Sequence, residues 1–104
     1  MWSLIKSLLG MGTSVDYAEI IKSGGVVVDV RTPSEYAGGH VAGAYNMPLN
    51  ELSSKISKFK KDKPIITCCA SGMRSASAKS ILAGLGYAQV YNGGGWMSLN
   101  KKLS

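Results

Sequence analysis

The sequence predicts an α/β domain built on a mostly parallel sheet. Two β-rich runs, Val26-Val27-Val28-Asp29-Val30 and Ile65-Ile66-Thr67-Cys68, are apolar without alternation, as in strands covered on both faces. Helical stripes separate them, so the strands are joined by crossovers, which are right-handed in such sheets. The length of 104 residues fits one domain, leaving any active site on this single body.

The elements follow in order. Residues 1–12 form an apolar extension. Trp2, Ile5 and Leu9, with Leu4 and Leu8, suit one face of a short helix. The stretch is shorter than the roughly 18 apolar residues of a membrane span. It also lacks the basic leader and cleavage site of a signal peptide. Val15 to Lys22 reads as a helix with Tyr17, Ile20 and Ile21 inward, stopped by Gly24-Gly25. After the first strand, Thr32-Pro33-Ser34-Glu35 is a capping box with proline at the first helical position. Ala44 to Met47 is a short strand. Leu49, Leu52, Ile56 and Phe59 give one apolar stripe, and Ala78, Ile81, Leu82 and Leu85 the next, closed by Gly86. Gln89-Val90-Tyr91 is the last strand, and Gly93-Gly94-Gly95-Trp96 reads as a turn plus a core aromatic.

Composition narrows the chemistry. The two cysteines, Cys68 and Cys69, are adjacent, and neighbours rarely form a relaxed disulfide. A reduced, cytoplasmic setting is expected. One histidine, His40, and no metal-ligand spacing argue against a bound metal, and no cofactor motif is present. The net charge of +6 favours small anions or acidic partners. The basic stretch Lys58 to Lys63 holds one aromatic and no nucleic-acid motif, so it reads as a solvated helix end.

The most informative stretch is Cys69-Ala70-Ser71-Gly72-Met73-Arg74, between the strand 65–68 and a helix from Ser75 to Leu85. A strand, tight loop and helix N-terminus turn N–H groups inward. Such a field lowers a free thiol from about 8.5 to roughly 3.5–7.5. Cys69 is therefore expected as a nucleophile in an oxyanion cradle. Because ligands of parallel sheets bind beyond the strands' carboxyl ends, the loop after Asp29 is expected to meet the Cys69 loop.

These residues resemble the rhodanese domain family over nearly the whole chain, from Val15 to Trp96. The resemblance is carried by four blocks in order. They are Val28-Asp29-Val30-Arg31 with Glu35-Tyr36; Gly39-His40-Val41-Ala42-Gly43-Ala44 with Asn46-Met47-Pro48; Cys69 to Ser75; and Gly93-Gly94-Gly95-Trp96. Ala42 stands where the family commonly has proline. The resemblance implies a rhodanese-like fold with a central, mostly parallel five-stranded sheet and helices on both faces. The extension 1–12 would then precede a single rhodanese-like domain over 13–104. The resemblance also implies a sulfurtransferase, with Cys69 taking a sulfane sulfur from an anionic donor such as thiosulfate as a persulfide. A thiophilic acceptor, cyanide or a thiol, or an acceptor protein, then removes it.

Each site residue has a plainer role beside this one. Cys68 continues the strand and should point away from the loop as core filler, or act as a resolving thiol. Arg74 is expected to make a bidentate anion contact rather than a surface ion pair. Ala70, Ser71, Gly72, Met73 and Ser75 complete the anion-binding loop; Gly72 supplies backbone freedom, and Ser71 and Ser75 either donate hydroxyls or cap the helix. Asp29, Arg31 and Glu35 are read as a structural charge network, and His40 as a turn partner. Two other classes compete. Counting from Cys68 gives Cys68-x5-Arg74, the spacing of cysteine phosphatases and of a rhodanese-like phosphatase or arsenate reductase. A non-enzymatic sulfur carrier or docking module is the other.

Overall fold

The computed structural model describes residues 15–104, and the expected apolar extension over 1–12 lies outside the described residues. Helix α1 spans Tyr17–Lys22 and is capped by the Asp16 side chain, which accepts from the Glu19 N–H. Strand β1 is Val26–Asp29 and helix α2 Pro33–Ala37. Strand β2 is only Tyr45–Asn46. Leu49–Lys58 coils as one irregular helical stretch, with α3 at Leu52–Lys55 between two 3₁₀ turns. Strand β3 is Ile65–Cys69, α4 Met73–Gly84, β4 Val90–Gly95 and α5 Trp96–Leu103.

The sheet runs β2-β1-β3-β4 and every pairing is parallel. This is the expected α/β architecture with one correction: the described residues hold four strands, not five. Every β-type run between 15 and 104 is already used; the segments left over are helices and turns. A second correction concerns Gly93-Gly94-Gly95. These residues do not form a turn but finish β4, with Gly95 paired to Cys69. A Cβ on Gly93 would stand 2.7 Å from the Thr67 carbonyl oxygen and 2.8 Å from Ile66 Cγ2. Only glycine lets β4 approach β3 that closely.

Both faces of the sheet are covered, which is why β1 and β3 lack alternation. On one face Val28, Val30, Ile65 and Cys69 pack with Leu52, Ile56, Ala78 and Leu82 from the 49–58 stretch and α4. On the other, Val27, Ile66 and Cys68 pack with Leu99 of α5, and Tyr17 and Ile20 of α1 lean on them. The apolar stripes thus fall inward, except at their ends. Ile21 and Leu85, expected inside, are 37% and 39% exposed. Each lies near the end of its helix, where the covering layer stops.

Candidate active site

The thiol sits where β3 stops. The β3–β4 register shifts between Thr67 and Cys69, so the strand bends as it delivers Cys69. Ala70 to Gly72 then turn the chain, and Gly72 takes φ +108°, a left-handed conformation suited to glycine. That turn aims two amides at one sulfur. The Gly72 N–H donates to Cys69 Sγ at 2.9 Å and the Ser75 N–H at 3.3 Å. A helix leaves its first N–H groups without intrahelical acceptors. In α4 one of these goes to sulfur, while those of Met73 and Arg74 open the same helix end.

Ser75 is fully buried and fixed from three sides. Its hydroxyl lies within hydrogen-bonding distance of the Thr67 carbonyl and of Asn92 Oδ1, at 3.0 and 2.5 Å. Thr67 Oγ1 donates to the Ser75 carbonyl at 2.9 Å. Asn92 Oδ1 also accepts the Gly94 N–H at 2.9 Å. No sequence pattern marks Thr67 and Asn92. Both are ordinary strand residues until the β3–β4 pairing brings them to the start of α4.

The two cysteines part as strand alternation requires. Cys68 lies in the α1/α5-side core, entirely inaccessible. Burial pushes its thiol up to about 12, with the Asp29 carboxylate adding to the rise. Cys68 is therefore a neutral thiol at neutral pH, and its side chain does not open the loop as a Cys68-x5-Arg74 phosphatase requires. Cys69 is also nearly inaccessible, 1% exposed, and belongs to the apolar cluster on the other face.

The structure divides the expected charge network in two. Asp29, fully buried, accepts from Arg31 at Nε and Nη2, the latter at 2.7 Å. Arg31 also donates to the Gly39 carbonyl at 2.7 Å and lies over the Trp96 ring at 4.8 Å. The bond to Asp29 raises the Arg31 guanidinium further above its ordinary range. His40 is exposed, stacked on Tyr36 at 3.7 Å, with Nδ1 2.7 Å from the Tyr36 carbonyl. The group of Asp29, Arg31 and His40 pins the loop from 30 to 44.

Glu35 goes elsewhere. It completes the capping box, accepting the Thr32 N–H at 3.0 Å. The same carboxylate receives both arms of Arg74, at 2.8 and 3.0 Å. The Arg74 guanidinium, supported by the Thr32 N–H, holds Glu35 down at about 2, and Glu35 in turn raises Arg74. The fork expected to meet an anionic donor is therefore closed on an internal carboxylate. The partners lie 39 positions apart, and no local spacing announces the pair. It joins α2 to α4, so the loops after β1 and β3 do meet on one sheet edge.

A separate cavity of about 470 Å³ lies by the start of β1, lined by Ala18, Ile21, Val27, Val41 and Leu103, among others. No residue of the Cys69 loop lines it. Among the described residues no helix is long and apolar enough to cross a membrane.

The sequence model of the rhodanese-like domain matches residues 13–102. The chain belongs to the rhodanese-like domain family. It is 41% identical over 70 residues to the thiosulfate sulfurtransferase PspE of Escherichia coli, covering 65% of this chain and 67% of that protein. It is 38% identical over 66 residues to YqhL of Bacillus subtilis, a protein described as uncharacterized, covering 64% of this chain. The match spans about half of YqhL, 52% of its length. Among solved structures, a rhodanese with anions from E. coli superposes with a TM-score of 0.67 at 37% identity, covering 70% of this chain and 88% of that one.

Proposed function

We propose that the chain is an enzyme, a rhodanese-type sulfurtransferase, with Cys69 as its nucleophile. The observation that carries this reading is the pair of N–H groups, Gly72 and Ser75, directed at Cys69 Sγ. Two preorganised donors suit a sulfur that is negative as the attacking thiolate and again as the thiolate released when the persulfide passes its outer sulfur on. The Cys69 thiolate attacks the outer sulfur of a small anionic donor such as thiosulfate. A Cys69–sulfur bond forms as the donor's S–S bond breaks, and sulfite leaves with the electron pair. The persulfide then loses its terminal sulfur to a thiophilic acceptor. With cyanide the products are thiocyanate and the regenerated thiolate; with a thiol, a new persulfide. The loop from Ala70 to Ser75 binds the donor through its backbone, and the open N–H groups of Met73 and Arg74 supply the anion contacts. Asp29, Arg31, Glu35 and His40 support the loop and do not touch sulfur. Two free, adjacent thiols suit a reducing compartment, the cytoplasm.

The test is intact mass after incubation with thiosulfate. A gain of one sulfur, removed by cyanide, absent in Cys69→Ser and kept in Cys68→Ser, is expected. An adduct that survives Cys69→Ser, or turnover of a phosphate ester with no persulfide, refutes the assignment.

A further inference from the structure

Both arginines of the chain end on carboxylates, Arg31 on Asp29 and Arg74 on Glu35. No other basic residue occurs between Cys69 and Ala78. The loop therefore offers an anion backbone amides but no unpaired side-chain cation. The Arg74–Glu35 pair is about one-third exposed on each side, at 35% and 37%, so solvent and solutes reach it. A guanidinium whose end-on fork is spent on a carboxylate has its charge balanced and its strongest bidentate edge taken, which weakens its grip on a sulfonate.

We infer that Glu35 is a specificity-determining residue that withholds Arg74 from the incoming donor. The site then favours donors with little charge beyond the reacting sulfur, organic persulfides or thiosulfonates, over the thiosulfate dianion. This rests on the sulfurtransferase reading and adds a substrate class to it. Glu35 acts through Arg74 and touches no reacting atom. The Thr32 N–H and Oγ1, at 3.0 and 3.2 Å from Oε1, hold the carboxylate in place for that task.

Thiosulfate and methanethiosulfonate present the same outer sulfur and differ by one negative charge. The experiment measures kcat/KM for both, with cyanide as acceptor, and takes the ratio of thiosulfate to thiosulfonate. The proteins are the parent chain, Glu35→Gln, Glu35→Ala, Arg74→Ala and the double variant Glu35→Gln/Arg74→Ala. Glutamine still accepts the Thr32 N–H, so the α2 cap survives even where alanine unfolds the chain.

Removing the charge of Glu35 is expected to raise the ratio roughly fivefold, the scale of one exposed ion contact. Arg74→Ala alone should move it less than about threefold, because that guanidinium is already occupied. The double variant should return it to the parent value. A purely structural Glu35 would change both donors alike and leave the ratio fixed, which overturns the inference. So does a large, thiosulfate-selective loss in Arg74→Ala, since Arg74 would then already grip the donor. A parent that forms no Cys69 persulfide sinks the sulfurtransferase reading itself. A parent that forms it, with an unmoved ratio, sinks only the specificity role of Glu35.

Discussion

Replacing Cys69 by serine keeps an acceptor for the Gly72 and Ser75 amides and changes little volume. Replacing Cys68 puts a hydroxyl among Val27, Ile66 and Leu99, where the described core is apolar. Burying a hydroxyl without a partner costs about 1–3 kcal/mol. The two serine variants should therefore have inverse phenotypes. Cys69→Ser is expected to abolish sulfur transfer and to shift urea-unfolding stability by less than about 1 kcal/mol. Cys68→Ser is expected to lose about 1–3 kcal/mol and still form one persulfide per folded molecule. Equal stability losses would mean that the thiols do not differ in surroundings. The opposite facing of the two cysteines was legible because strand alternation alone parts neighbours, although β3 runs one residue further than expected and includes Cys69. The sequence could not anticipate that the fully buried Ser75 hydroxyl would stand between Thr67 and Asn92, 17 residues away. That contact exists only after β4 has docked.

At the level of elements, two close approaches hold the site: β4 against β3, and α2 against α4. In the first, Gly93 meets backbone and side chains under 3 Å from where a Cβ would stand. Gly93→Ala should cost about 1–3 kcal/mol, the scale of overpacking, by urea denaturation. It should also lower persulfide yield, because Asn92 and Gly94 flank the substitution. In the second, Glu35 is depressed from 4.5 to about 2 in the fold. A depressed carboxyl contributes its stability in full above 4.5 and loses it as pH falls through about 2. The stability gap between the parent and Glu35→Gln should thus be constant from neutral pH to about 4.5 and close only below it. A gap that closes between pH 7 and 5 would place the titration on another group. The capping box was legible because its residues are three apart. The bridge to Arg74 was not, because a period of three or four sees only one helix. The glycine run misled for a related reason. Glycines near a strand end signal a turn in most chains, and only the tight β3–β4 spacing reveals them as strand.

For the whole molecule, the sheet separates two apolar layers, and the proposed nucleophile belongs to one of them. Cys69 shares its face with α3 and α4, whereas Leu99 is fully buried on the opposite face with Cys68. The parallel order was readable from unbroken β-branched runs, since such strands need cover on both sides. The runs also marked the four strands observed; the fifth was implied only by the family resemblance, and no run between residues 15 and 104 supplies it. A two-layered body predicts that stability and activity can be changed separately. Leu99→Ala opens a cavity on the α1/α5 face and should cost about 2–5 kcal/mol. The Gly72 and Ser75 amides stand on the other side of β3, so their aim at Cys69 should be unaffected. Under conditions where the variant remains folded, its persulfide yield and kcat/KM should match the parent, while its urea midpoint falls sharply. If activity per folded molecule drops in step with stability, the loop takes its shape from both layers, and the sheet does not insulate the thiol from the far core.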